Sequence, residues 1–191
     1  MEHTTIRTII NDHLAIAAML RSAQLLLRQN KARREEPDFA VLRAMLFYLD
    51  EFPQMRHHRK ETELLFPKLR ARTPLARELL DRLDHDHHSG EARIREVEHR
   101  LLGFEMMGES RRAAFEQALD AYVRFYLDHM AAEEREVLPL AQRVLQDADW
   151  VELDATFAQD RDPLTGGGLD AEYARLFTKI VNITPAPIGL G

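Results

Sequence analysis

Two segments of the chain carry the same chemical groups at the same spacing. His57 precedes Glu61 by four residues and Pro67 by ten, and His129 stands in the same relation to Glu133 and Pro139. Two further histidines, His13 and His87, stand alone. His57 and His129 lie 72 residues apart, and His13 and His87 lie 74 apart. The pattern is a lone His followed by His-x3-Glu, given twice, as two helical hairpins related by an approximate two-fold would give it. On a helix, residues i and i+4 sit one above the other, about 6 Å apart. An imidazole nitrogen and a carboxylate oxygen from such a pair can therefore reach one cation. His13, His57, Glu61, His87, His129 and Glu133 together are more donors than one tetrahedral zinc takes. They suit two octahedral ions bridged by the carboxylates, with a coordination position left for a small molecule. Imidazole and carboxylate without thiolate suit iron or manganese, and zinc or copper less specifically.

Helices must position these groups. Ile6, Ile9, His13, Ile16, Leu20 and Leu27 recur at three-and-four spacing and mark one apolar stripe. The charged segment NKARREEP (30–37) reads as a linker ending in a breaker. A second stripe follows through Leu42, Leu46, Leu49, His57, Glu61 and Leu64, with a kink or restart expected at Pro53. The third helix is predicted over about 75–102, with Leu80, Leu83, His87, Ile94 and Leu101 in line and Gly103 to Gly108 closing it. The fourth stripe holds Phe115, Leu119, Tyr122, Tyr126, His129, Glu133, Leu140 and Val144. No strand-like alternation appears in this region. The expected fold is all-α: an antiparallel up-down four-helix bundle over 1–147. Residues 148–191 read as a short helical C-terminal extension that packs on the bundle or forms a homodimer contact. It contains a helix near ADWVELDATFAQ, a loop DRDPLTGGG, a second helix LDAEYARLFTKIVNI and an extended tail TPAPIGLG.

All four histidines and both glutamates fall on the apolar stripe of their own helix. An unpaired carboxylate buried there costs several kcal/mol, so the conjunction favours a metal. The other polar residues near the stripes read differently. His3, His85, His88 and His99 read as surface residues. His58 is left open, because Leu65 lies seven residues on and Glu51 seven before. Asp12 is placed off the stripe, capping or orienting backbone. Tyr48, Tyr122 and Tyr126 read as packing residues, with one phenol a candidate further ligand.

The composition removes other functions. The 191 residues contain no cysteine, which excludes a disulfide scaffold, thiolate metal ligation and a Cys nucleophile. A net charge of −6 with no basic block argues against nucleic acid as a partner. No apolar run approaches the length of a membrane span, and the N-terminus lacks the pattern of a secretory leader. A cytoplasmic protein is expected.

The segments Asn11-Asp12-His13-Leu14, HHRKETELLFPKL from His57, Asp86-His87-His88-Ser89-Gly90-Glu91 and HMAAEEREVLPLA from His129 resemble the hemerythrin-like, HHE cation-binding family over roughly residues 3–147. The resemblance implies a non-haem di-iron site with His13, His57, Glu61, His87, His129 and Glu133 as ligands. The two iron ions would share an oxo or hydroxo bridge, with manganese or zinc as substitutes. Family members carry or sense dioxygen, sense iron, or respond to nitric oxide, peroxide and iron–sulfur damage. The oxygen carriers have a fifth His in an HxxxH on the third helix; here Leu83 and Glu91 flank His87 at those spacings. The carriers also place an Asp five residues after the last His, where this chain has Glu134. The pattern is closer to the four-His, two-Glu proteins linked to stress and iron repair. The expected function is therefore binding or sensing of O2, NO, peroxide or iron itself. A di-iron enzyme, peroxidase-like or NO-reducing, and a metal-dependent regulatory interaction module are the alternatives.

Overall fold

Each apolar stripe becomes a helix. α1 (Thr4–Arg33) buries Ile6, Ile9, His13, Ile16, Leu20 and Leu27 on one face. It continues through half of the expected linker and stops at Arg34, where the backbone turns left-handed at φ 57°. Lys31 and Arg33 in its last turn complement the helix dipole, which helps charged residues extend the helix. The structure, a computed structural model, describes residues 3–159 and Ile180.

α2 (residues 39–72) begins at Asp38, whose Oδ1 accepts the Val41 N–H at 3.0 Å. No restart occurs at Pro53. The stretch Asp50–His57 is π-helical, and His58 N–H reaches back to the Pro53 carbonyl. Proline lacks an N–H and crowds the carbonyl one turn back; the wider turn accommodates both. A second π segment spans Glu61–Leu65, where Phe66 N–H bonds the Glu61 carbonyl. α3 (Arg77–Met107) is longer than expected, with Gly103 inside it and Gly108 (φ 73°) ending it. α4 (residues 112–144) carries a third π segment at Glu133–Val137, closed by Leu138 N–H to the Glu133 carbonyl. The π turns after Glu61 and Glu133 thus repeat between the hairpins, each followed by its proline in the next α turn.

The result is an all-α antiparallel four-helix bundle with no strand among the described residues. Its core is split into two apolar clusters. One holds Leu20, Leu42, Leu46, Leu49, Ile94, Leu119 and Tyr126, and the other Ile9, Leu65, Phe66, Leu80, Leu83 and Val137. A polar layer separates them. A fifth helix, α5 (Asp147–Phe157), places Trp150, Leu153 and Phe157 in the second cluster. Asp154 accepts from Thr5 N–H at 2.8 Å and Thr5 Oγ1 at 2.7 Å, which fastens α5 to the start of α1. The extension therefore packs back on the bundle over this stretch. The loop, second helix and tail expected beyond it lie outside the described residues except for Ile180, which is buried in the first cluster. No described helix is long and apolar enough to cross a membrane.

Candidate metal centre

The polar layer is built from the repeated residues. His13, His57, His87 and His129 are all under 8 % exposed, and Glu61 and Glu133 are each 1 % exposed. The imidazoles meet in pairs within each hairpin: His13 Nε2 lies 3.1 Å from His57 Nε2, and His87 Nε2 lies 3.0 Å from His129 Nε2. The carboxylates link the pairs. Glu61 Oε1 is 3.3 Å from His57 Nε2, and its Oε2 is 3.5 Å from His87 Nε2. Glu133 Oε2 is 3.3 Å from His13 Nε2, and its Oε1 is 3.3 Å from His129 Nε2 and 3.7 Å from His87 Nε2. Each glutamate therefore spans both histidine pairs. All six residues predicted from the repeat come together.

With Nε2 turned inward, Nδ1 of each ring faces outward to a partner, and the partners obey the same two-fold. His57 Nδ1 is hydrogen-bonded to Asp12 Oδ2 at 3.2 Å, and His129 Nδ1 lies at ion-pair distance, 3.5 Å, from Asp86 Oδ2 without a hydrogen bond. In each case the carboxylate belongs to the residue before the lone histidine of the same hairpin. His13 Nδ1 is 2.9 Å from Glu134 Oε1, and His87 Nδ1 is 2.7 Å from Thr62 Oγ1. Those partners follow the metal-facing glutamates of the opposite hairpin. Thr62 in turn donates to Asp84 Oδ1 at 3.1 Å. Carboxylate or hydroxyl partners of this kind fix the ring orientation and raise the basicity of the inward nitrogen.

One expectation is corrected here. Asp12 is buried and aimed at His57 rather than turned away from the stripe. A stripe treated as a line misses it, because the inward arc of a bundle helix is about 100° wide. His58, left open from the sequence, is 5 % exposed and enters the layer. Its ring stacks on His87 at 4.1 Å and on Tyr126 at 5.5 Å. Neighbouring residues on a helix are about 100° apart, so His57 and His58 take the two edges of the inward arc. His57 turns toward α1 and His58 toward α3 and α4. An adjacent His pair followed by the glutamate was the available signal. Glu134, at the position where carriers have a ligand, pairs with His13 and is partly exposed. Tyr48, Tyr122 and Tyr126 are fully buried in the first cluster. His85, His88 and His99 are not buried, and His3 stacks on Trp150 at 3.8 Å.

Single donor atoms of His13, His57, Glu61 and Glu133 all lie within 4.8 Å of one another, and so do those of His58, Glu61, His87 and His129. Donors of one ion sit about 2 Å from it, so opposite donors lie about 4 Å apart; both groups need only a small closure. Glu61 Oε2 and both oxygens of Glu133 are buried and accept no hydrogen bond. Three buried acceptors without donors are what a cation would satisfy.

The charges agree. Burial pushes the His57 imidazole down, yet Glu61 and Asp12 outweigh it and hold the ring well above the usual histidine range. Burial likewise opposes His129, but Glu133 and Asp86 raise it to about 10. His13 is raised by Glu133 and Glu134 against its burial. Burial favours protonation of Glu133, and His129, His13 and His87 overcome this to hold it well below the carboxylate range. His58 is pushed well down by burial and by the His87, His129 and His57 rings. Protons on imidazoles thus balance the carboxylates, and a bound cation would replace those protons.

Residues 4–141 match the family model of the Hemerythrin HHE cation binding domain. No curated protein matches the chain.

Proposed function

The chain belongs to the hemerythrin HHE cation-binding family, and from that premise we propose that it is a non-haem di-iron protein that binds or senses a small molecule. His13 and His57 would hold one ion and His87 and His129 the other. Glu61 and Glu133 would bridge them. The observation that carries this reading is the pair of buried glutamates, each within 3.5 Å of an Nε2 from both histidine pairs, with Glu61 Oε2 and both Glu133 oxygens accepting no hydrogen bond. Bound iron would supply an open coordination position and a change of oxidation state for O2, NO or peroxide. The chain's own residues do the rest. Asp12, Asp86, Thr62 and Glu134 orient the rings. Leu49, Leu80, Leu83 and Ile94, all 1 % exposed or less, keep bulk water from the layer. A cleft of about 400 Å³, lined by Thr62, His58 and His87 among others, gives a small molecule a way in. We read α5 (Asp147–Phe157) as a brace that reinforces the bundle from outside.

Elemental analysis of protein isolated from iron-grown cells tests this. About two Fe per chain are expected, with His57→Ala and His129→Ala each losing the iron and its visible absorption. Stoichiometric iron in both variants would overturn the assignment. Spectra of the reduced protein after separate additions of O2, NO and peroxide then identify the ligand.

A further inference from the structure

We propose that His58 is a third imidazole ligand of the ion in the His87–His129 position, so that the two metal positions differ in donor number. This rests on the two-ion reading above. Donor atoms of His58, Glu61, His87 and His129 gather within 4.8 Å of one another, as do those of His13, His57, Glu61 and Glu133. Its neighbours hold the ring in place. It stacks on His87 at 4.1 Å with 12° between planes, stacks on Tyr126 at 5.5 Å, and meets the His129 ring edge-on at 5.4 Å. The His13–His57 position has no counterpart. The residue following His129 in the repeat is Met130, whose side chain packs in the apolar cluster.

The donor count follows. One position has two imidazoles and two bridging carboxylates, which leaves two sites of an octahedron. The other has three imidazoles and the same bridges, which leaves one. His58 and His87 also line the solvent cleft, together with Asp50, Glu51, Glu63 and Glu91. Near His57, a cavity of about 10 Å³ lies against Phe52 and Pro53. The more saturated ion is therefore the one beside the cleft. The five-donor position fills first and binds more tightly.

The full chain, stripped by chelator and reloaded with Co2+, tests this without any turnover assay. In the loaded wild type, five exchangeable imidazole N–H signals shifted by the paramagnetic ions are expected in the proton NMR spectrum. Competition against a chromophoric chelator should show two binding steps. His58→Leu should weaken the tighter step by about 10-fold or more, the scale on which losing even an outer partner acts, and leave the other within twofold. Far-UV dichroism of the metal-free variant checks its fold, with His58→Gln and the wild-type N–H count deciding if it fails. Two ions with four N–H signals, or two unchanged steps in the variant, overturn the His58 assignment alone. Uptake of fewer than two ions by the wild type overturns it together with the two-ion reading.

Discussion

Asp12→Asn perturbs the proposed centre while leaving every metal donor in place. The carboxylate is 3.2 Å from His57 Nδ1, with only 10 % of its side chain exposed, so water replaces little of what is lost. Asparagine keeps an oxygen acceptor of the same shape and removes the charge. A hydrogen bond to a charged group contributes about 1.5–3 kcal/mol and a neutral one about 0.5–1.5 kcal/mol. The substitution therefore removes about 1–2 kcal/mol from the metal-bound form. At about 1.4 kcal/mol per decade, affinity at the His13–His57 position should fall about 5- to 30-fold. The His87–His129 position should stay within about twofold, because its rings are oriented by Asp86 and Thr62. Stepwise titration of the chelator-stripped chain with Zn2+ against a chromophoric competitor reads both positions. Asp86→Asn is the mirror experiment. Its contact is longer, at 3.5 Å, and its side chain is 23 % exposed, so the same change should weaken the other position by less. The reasoning is refuted if Asp12→Asn leaves both affinities unchanged or lowers the His87–His129 position instead.

The metal-free chain should also show a definite pH profile. His129 rises from 6.5 to about 10 on folding, so its contribution is complete below 6.5 and is lost as pH climbs toward 10. His57 and His13 shift in the same direction. Glu133 is depressed below 4.5, so its contribution is present above that value and disappears as pH falls through its folded pKa. His58 shifts the other way, so it costs stability as pH falls below 6.5; urea midpoints of the stripped chain should therefore peak near pH 6.5 and decline toward both acid and pH 10. Metal affinity should climb over the same alkaline range as protons leave the rings; a flat profile contradicts this. Gly108→Ala should destabilise the chain by about 1–3 kcal/mol without altering metal binding, since φ 73° and ψ −158° suit only glycine and open space surrounds the position. An unchanged thermal midpoint would remove that reading.

Much of the site was legible because its chemistry repeats along the chain. His-x3-Glu followed by proline occurs twice, and a periodicity of three and four places those residues with Leu46, Leu83 and Leu119 on inward faces. What periodicity blurs is anything that turns on a fraction of a helical turn. Asp12 and His58 sit one residue from a predicted ligand, and whether such a neighbour points inward depends on which helices flank its own. The π turns after Glu61 and Glu133 were also hidden, since the proline that accompanies each reads locally only as a breaker.

The amino-acid order alone was enough to determine four amphipathic helices, their duplication, and six donors on their buried faces, because each of these depends on spacing within one helix. Only the assembled bundle decided how the donors divide into two groups, which carboxylate steadies which ring, and that His58 turns inward toward α3 and α4. Those facts depend on distances between helices, and the lateral packing that sets such distances leaves no mark in the spacing of residues along any single one.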